Sequence, residues 1–168
     1  MLQFQENNEE RQYLDLCRQI MDKGFVEKGR NGTTKSVFGS MMRFSLQDSR
    51  IPILTTKKTA WKTCLKELMW FIRGQTDNKI LQQQGVHIWD GNTSREFLDS
   101  RGLTYYAEDE LGPIYGWQWR NFNGDYVCEG EIMPKKGIDQ LQEIINTLKN
   151  PDPVKRSSRR LIMSAWNP

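Results

Sequence analysis

Apolar residues at Tyr13, Leu14, Cys17, Ile20 and Met21 recur at helical spacing, which predicts an amphipathic helix over 8–24 with Gly24 as its stop. A second helix is predicted from Thr59 to Ile72, with Trp61, Leu65, Leu68, Met69 and Ile72 on one broad side. A shorter one follows over Asp77–Gln84, and Ile138, Leu141, Ile144, Ile145 and Leu148 predict another across Gly137–Lys149. The run Asn150-Pro151-Asp152-Pro153 ends that last helix, because proline removes a donor and disfavours helical geometry in the residue before it. Ser36–Leu46 reads as β-prone with a glycine at its middle, Ile51–Thr56 as a short extended piece, and Leu161–Trp166 as a buried strand. Trp89–Met133 is rich in Gly, Asn, Asp and aromatics and reads as a long loop, a length that in compact domains goes with function.

Composition narrows the classes. With 168 residues, 37% of them hydrophobic and 11% aromatic, the chain is long enough for one packed domain or part of one. A formal charge of +3 is too mild to argue nucleic-acid binding and fits a small anion held by a few arginines. Cys17, Cys64 and Cys128 have no CxxC spacing, and His87 is the single histidine, so no metal cluster is predicted. The cysteines read as reduced thiols of a cytoplasmic protein. The polar, acidic start does not look like a signal peptide, and no apolar stretch is long enough to span a bilayer.

Candidate chemistry lies in four places. In Lys155–Arg160 (KRSSRR), guanidinium forks flanked by hydroxyls suit a phosphate; the plainer reading is a solvated basic loop. Gly29–Thr34 surrounds Arg30 with small residues whose backbone N–H groups can approach an anion, although glycine turns before strands are commonplace. Glu67 borders an apolar helix face, where desolvation suits a carboxyl to proton relay; otherwise it is a surface glutamate. Trp89, Tyr115, Trp117 and Trp119 are either core or a wall on which a flat heterocycle stacks.

Seven segments in the same order resemble thymidylate synthase: FGSMMRF (38–44), IPILTTKK (51–58), KELMWFIRGQT (66–76), IWDGN (88–92), LGPIYGWQWR (111–120), GIDQLQEII (137–145) and RRLIMSAWNP (159–168). The resemblance implies a layered α/β (α+β) fold, a mixed sheet packed with helices, with residues 1–168 as the N-terminal part of the catalytic domain, incomplete at its C-terminus. It also implies reductive methylation of dUMP to dTMP with 5,10-methylenetetrahydrofolate, in a homodimer without metal.

Residue by residue, the resemblance makes Arg30 the mobile-loop arginine that closes over the dUMP phosphate. Arg159 and Arg160 reach across the dimer to the phosphate held by the other subunit. Glu67 organises water and relays protons, and Tyr115 joins that network near the nucleophile. Trp89 and Asn92, with Ile88 beside them, face the folate, and Lys57 meets its glutamate tail. The chain departs from the family pattern in a loop after Arg30 that is one residue short and in Ala60, where many members place a histidine. The family's nucleophilic cysteine lies in a Pro-Cys-His segment shortly after the SAWNP stretch, and none of the three cysteines here takes its place. The chain is therefore expected to be inactive by itself, as a truncated or split product. Two rivals stand beside the synthase: a dCMP/dUMP hydroxymethylase of the same fold, and a non-catalytic nucleotide- or RNA-binding relic. Against the relic, no basic stripe is interleaved with aromatics.

Overall fold

The computed structural model describes residues 8–29, 32–126 and 136–167. The chain divides into two compact units, Met1–Ala60 and Trp61–Pro168. Its class is mixed α and β, as expected.

The first unit is built on α1 (Asn8–Lys23), whose first turn carries Glu9 and Glu10. Gly24 stops the helix as predicted, its N–H bonding the Ile20 carbonyl at 2.8 Å. Strands β1 (Phe25–Gly29) and β2 (Gly32–Ser36) then pair antiparallel, from Phe25 opposite Ser36 to Gly29 opposite Gly32. Of the β-prone Ser36–Leu46 only Ser36 is in a strand, and residues 37–46 are irregular. A strand needs a neighbouring backbone to close its ladder, and here a helix side chain takes that part at one point. The Gln12 amide donates to the Arg43 carbonyl at 2.7 Å and accepts the Arg43 N–H at 2.9 Å. One turn earlier Glu9 accepts the Ser45 N–H. Glu10, buried, collects four donors, the N–H and hydroxyl of both Thr55 and Thr56, at 2.6–2.9 Å. Two extended segments are thus pinned to one helical turn.

The second unit is helical: α2 (Trp61–Ile72), α3 (Lys79–Gln82), α4 (Asp90–Thr93), α5 (Arg95–Ser100), α6 (Tyr115–Asn121), α7 (Gln140–Leu148) and α8 (Pro153–Arg156). Its core is Trp70, Leu81 and Val86, with Phe71, Ile80, Trp89, Leu111 and Ile114 packed against them. The buried side of α2 is therefore the one centred on Trp70, not the broad side predicted from Trp61, Leu65, Leu68, Met69 and Ile72, of which only Ile72 is partly buried and the other four remain substantially exposed. Trp70 also donates its indole N–H to the Asp77 carbonyl at 3.1 Å, which satisfies its one polar atom inside the core. Helix α6 lies directly on α2 because Gly116 has no side chain; a Cβ there would stand 2.6 Å from the Phe71 carbonyl oxygen. Arg120 locks the pair, capping the Ile72 carbonyl at 2.7 Å and forking onto the Asp139 carboxylate that precedes α7.

The stretch predicted as a long loop contains α4, α5 and α6. These short helices lack a long apolar period, so periodicity passes over them. Leu161–Trp166, predicted as a buried strand, has no regular secondary structure, and Ile162 and Trp166 are exposed. Lacking a strand beside it, this segment is held by Gln140, whose amide donates to the Ser164 carbonyl at 2.8 Å and accepts the Ser164 N–H at 2.9 Å.

Candidate active site

Glu67 sits one turn before Trp70 on α2, which places it at the edge of the buried side. It is half-buried. The indole N–H of Trp89 donates to Glu67 Oε1 at 2.8 Å, and Oε2 has no hydrogen-bond partner among the described residues. Tyr115, the first residue of α6, stands against both neighbours: its ring centroid is 6.2 Å from that of Trp89 and 5.5 Å, edge to face, from that of Phe71. The close approach that Gly116 permits brings Tyr115 to α2. Three residues predicted for the site, far apart in sequence, thus form a chain of contacts, Glu67 to Trp89 and Trp89 to Tyr115.

The surroundings are open on one side. Tyr115 and Ile88 are each about half exposed, at 48% and 50%. Asn92 is exposed, and its N–H bonds the Trp89 carbonyl at 2.9 Å. A carboxylate with one oxygen held by an N–H and the other free, beside accessible aromatic and aliphatic surface, can exchange a proton with a flat ring stacked there.

Below Trp89 lies a polar network that sequence reasoning did not pick out. Asn78, fully buried, donates its amide to Asp90 Oδ1 at 2.9 Å and to Thr93 Oγ1 at 3.2 Å. Gln82 adds a bond to Asp90 at 3.1 Å and one to Asp109 at 2.8 Å. His87 Nδ1 meets the second Asp90 oxygen at 2.9 Å. The Asn78 amide first, then that of Gln82, holds the Asp90 carboxyl below its usual range. No local motif announces these contacts, since they join four turns and loops.

Not every predicted residue joins this cluster. Arg159 and Arg160 line an open concavity of about 500 Å³ with Thr147, Asn150, Val154, Lys155 and Ser158; neither Glu67, Trp89 nor Tyr115 takes part in it. Lys57 belongs to the first unit, its ammonium 5.9 Å from the centre of the Tyr13 ring. Arg30 and Cys128 fall outside the described residues. Among the described residues no group of three His, Cys, Asp or Glu could hold a metal ion, and no helix is long and apolar enough to cross a membrane.

The family model described as thymidylate synthase matches residues 11–168. Over 164 residues the chain is 51% identical to a bifunctional dihydrofolate reductase-thymidylate synthase of Leishmania major, a match covering 96% of this chain and 31% of that protein. It is 50% identical over 166 residues to the thymidylate synthase of Candida albicans, covering 96% of this chain and 51% of that protein. A probable thymidylate synthase of Schizosaccharomyces pombe is 51% identical over 165 residues, covering 96% of this chain and 26% of that protein. The chain therefore spans between about a quarter and a half of the length of these relatives.

Proposed function

The chain belongs to the thymidylate synthase family, and from that premise we propose that it is part of a cytoplasmic, homodimeric enzyme that methylates dUMP to dTMP. Residues 1–168 form the N-terminal part of its catalytic domain. The observation that carries the reading is the Glu67 carboxylate, gripped at one oxygen by the indole of Trp89, whose ring in turn meets that of Tyr115.

In this reaction a cysteine thiolate, supplied from outside these 168 residues, adds to C6 of the uracil ring and makes C5 nucleophilic. Methylenetetrahydrofolate is the co-substrate that supplies the one-carbon unit and the reducing hydride. The exposed faces around Trp89, Tyr115 and Ile88 fit its flat rings, with Asn92 at the edge of the same surface. Glu67, through its free oxygen, takes and returns the protons that the ring and the departing amine exchange. Tyr115 offers its hydroxyl to the same relay. Arg159 and Arg160 pair with the phosphate of the nucleotide bound by the partner subunit, which agrees with their exposure away from Glu67. Arg30, the mobile-loop arginine, closes over the phosphate of the dUMP bound by its own subunit, and Lys57 meets the acidic tail of the folate.

The test is Glu67→Gln in the full-length protein. Turnover is expected to fall about 10²- to 10⁴-fold, the range for a well-placed acid/base group, with dUMP affinity nearly unchanged. A loss confined to KM would remove Glu67 from the proton relay. A hydroxymethyl product from the unaltered enzyme would move the reading to the hydroxymethylase.

A further inference from the structure

Helix α4 is a single turn, Asp90–Thr93, and Trp89 at its N-cap position has no side-chain cap. One turn of helix cannot hold a large indole in one orientation, because the cost of fixing it exceeds what a single turn returns. Yet Trp89 meets Glu67 at hydrogen-bond distance. The core residues and the Tyr115 ring pack against the body of the indole; the backbone that carries it needs a hold of its own.

The backbone on the C-terminal side of Trp89 is tied twice to one buried group. Its carbonyl accepts the Thr93 hydroxyl at 3.1 Å, and its neighbour Asp90 accepts the Asn78 amide at 2.9 Å. The same Asn78 amide donates to Thr93 Oγ1, so a single side chain spans both ends of the turn. Asn78 is itself immobilised: it is fully buried, and its backbone N–H bonds the Asp109 carbonyl at 2.8 Å. Its amide N–H group, engaged by two acceptors, has few alternatives, since leaving either bond unmade costs desolvation; its Oδ1 is buried with no partner among the described residues.

We propose that Asn78 is a positioning residue, which through Asp90 and Thr93 aims the Trp89 indole at Glu67 Oε1 and so leaves Oε2 as the oxygen free to exchange protons. The inference rests on the proton-relay reading of Glu67, but the clamp itself can be tested without it. The Asn78 side chain bonds Asp90 and Thr93, not Glu67. Its effect passes through the orientation of one ring.

The experiment uses the full-length protein with Asp90→Ala, which removes the acceptor of the Asn78 amide, and Thr93→Val, which keeps the volume but not the hydroxyl. Two readouts are taken for each: hydrogen exchange at the Trp89 indole N–H, assigned by its disappearance in Trp89→Phe, and kcat beside the dUMP dissociation constant. The expected result is indole exchange faster by about tenfold or more and kcat lower by a similar factor, with dUMP affinity within about twofold. Unchanged indole exchange in either folded variant overturns the clamp. Faster exchange with unchanged kcat, while Glu67→Gln is inactive, overturns the positioning role and leaves the relay standing. If Glu67→Gln is itself fully active, the relay reading fails while the indole readout still judges the clamp. Failure of both variants to fold would mark the network as core packing and overturn the proposal.

Discussion

Glu10 and Glu67 are both helix glutamates near an apolar face, and their partners give them different tasks. Glu10 receives four hydrogen bonds from Thr55 and Thr56, and these, led by the Thr55 hydroxyl, lower its pKa from 4.5 to about 2. Nothing in the local sequence signals this, because the donors lie 45 and 46 positions away. Since folding lowers the pKa, the contribution of the charged form is complete above about pH 4.5 and is lost as the pH falls toward 2. Amide exchange at Thr55 and Thr56 in the full-length protein should therefore accelerate across that window relative to the Gly24 amide. Glu10→Gln should remove the pH dependence and leave both amides less protected throughout. A flat profile in the unaltered protein would show that Glu10 does not pin the segment. Glu67, by contrast, has one donor at Oε1 and none at Oε2 among the described residues, which leaves the second oxygen open for the proton exchange proposed for it. Resemblance singled it out; the spacing of apolar residues alone leaves it a borderline surface position.

At the level of elements, periodicity located α1, α2 and α7 well, because each is long enough to carry an apolar stripe. It did not find α4, α5 or α6, which are too short to carry an apolar period; α5 is marked instead by a local N-cap, the Ser94 side chain accepting the Phe97 N–H. Two predicted strands, in Ser36–Leu46 and Leu161–Trp166, are mostly irregular among the described residues. In each, a glutamine amide bonds both backbone groups of one residue, Gln12 at Arg43 and Gln140 at Ser164, as a neighbouring strand would. The contact that matters most for the site is α2 against α6, and it depends on Gly116. Gly116→Ala must force the helices apart, since the new Cβ would meet both the Cα and the carbonyl oxygen of Phe71 at 2.6–2.7 Å. Denaturant unfolding of the full-length protein should register a loss of about 1–3 kcal/mol, the usual cost of overpacking. An unchanged midpoint would mean that the helix pair can slide to accommodate a methyl group.

At the scale of the whole molecule, the homodimer proposed above would bring Arg159 and Arg160 to the partner's nucleotide; within one chain they line a concavity with Lys155 in which Glu67 takes no part. Arg159→Ala in the full-length protein should weaken dUMP binding by about 1.5–3 kcal/mol, the range for a hydrogen bond to a charged group, and calorimetry would read this directly. An unaltered dissociation constant would remove Arg159 from the phosphate site. Family membership, the mixed α/β class and the long helices were all settled by the order of residues, because segment order and apolar spacing are properties of the chain itself. Which side of α2 is buried, which of the predicted residues meet, and how Trp89 is aimed were decided only by tertiary structure. These depend on a missing side chain at Gly116 and on a buried amide at Asn78, and their partners are set by folding rather than by neighbours along the sequence.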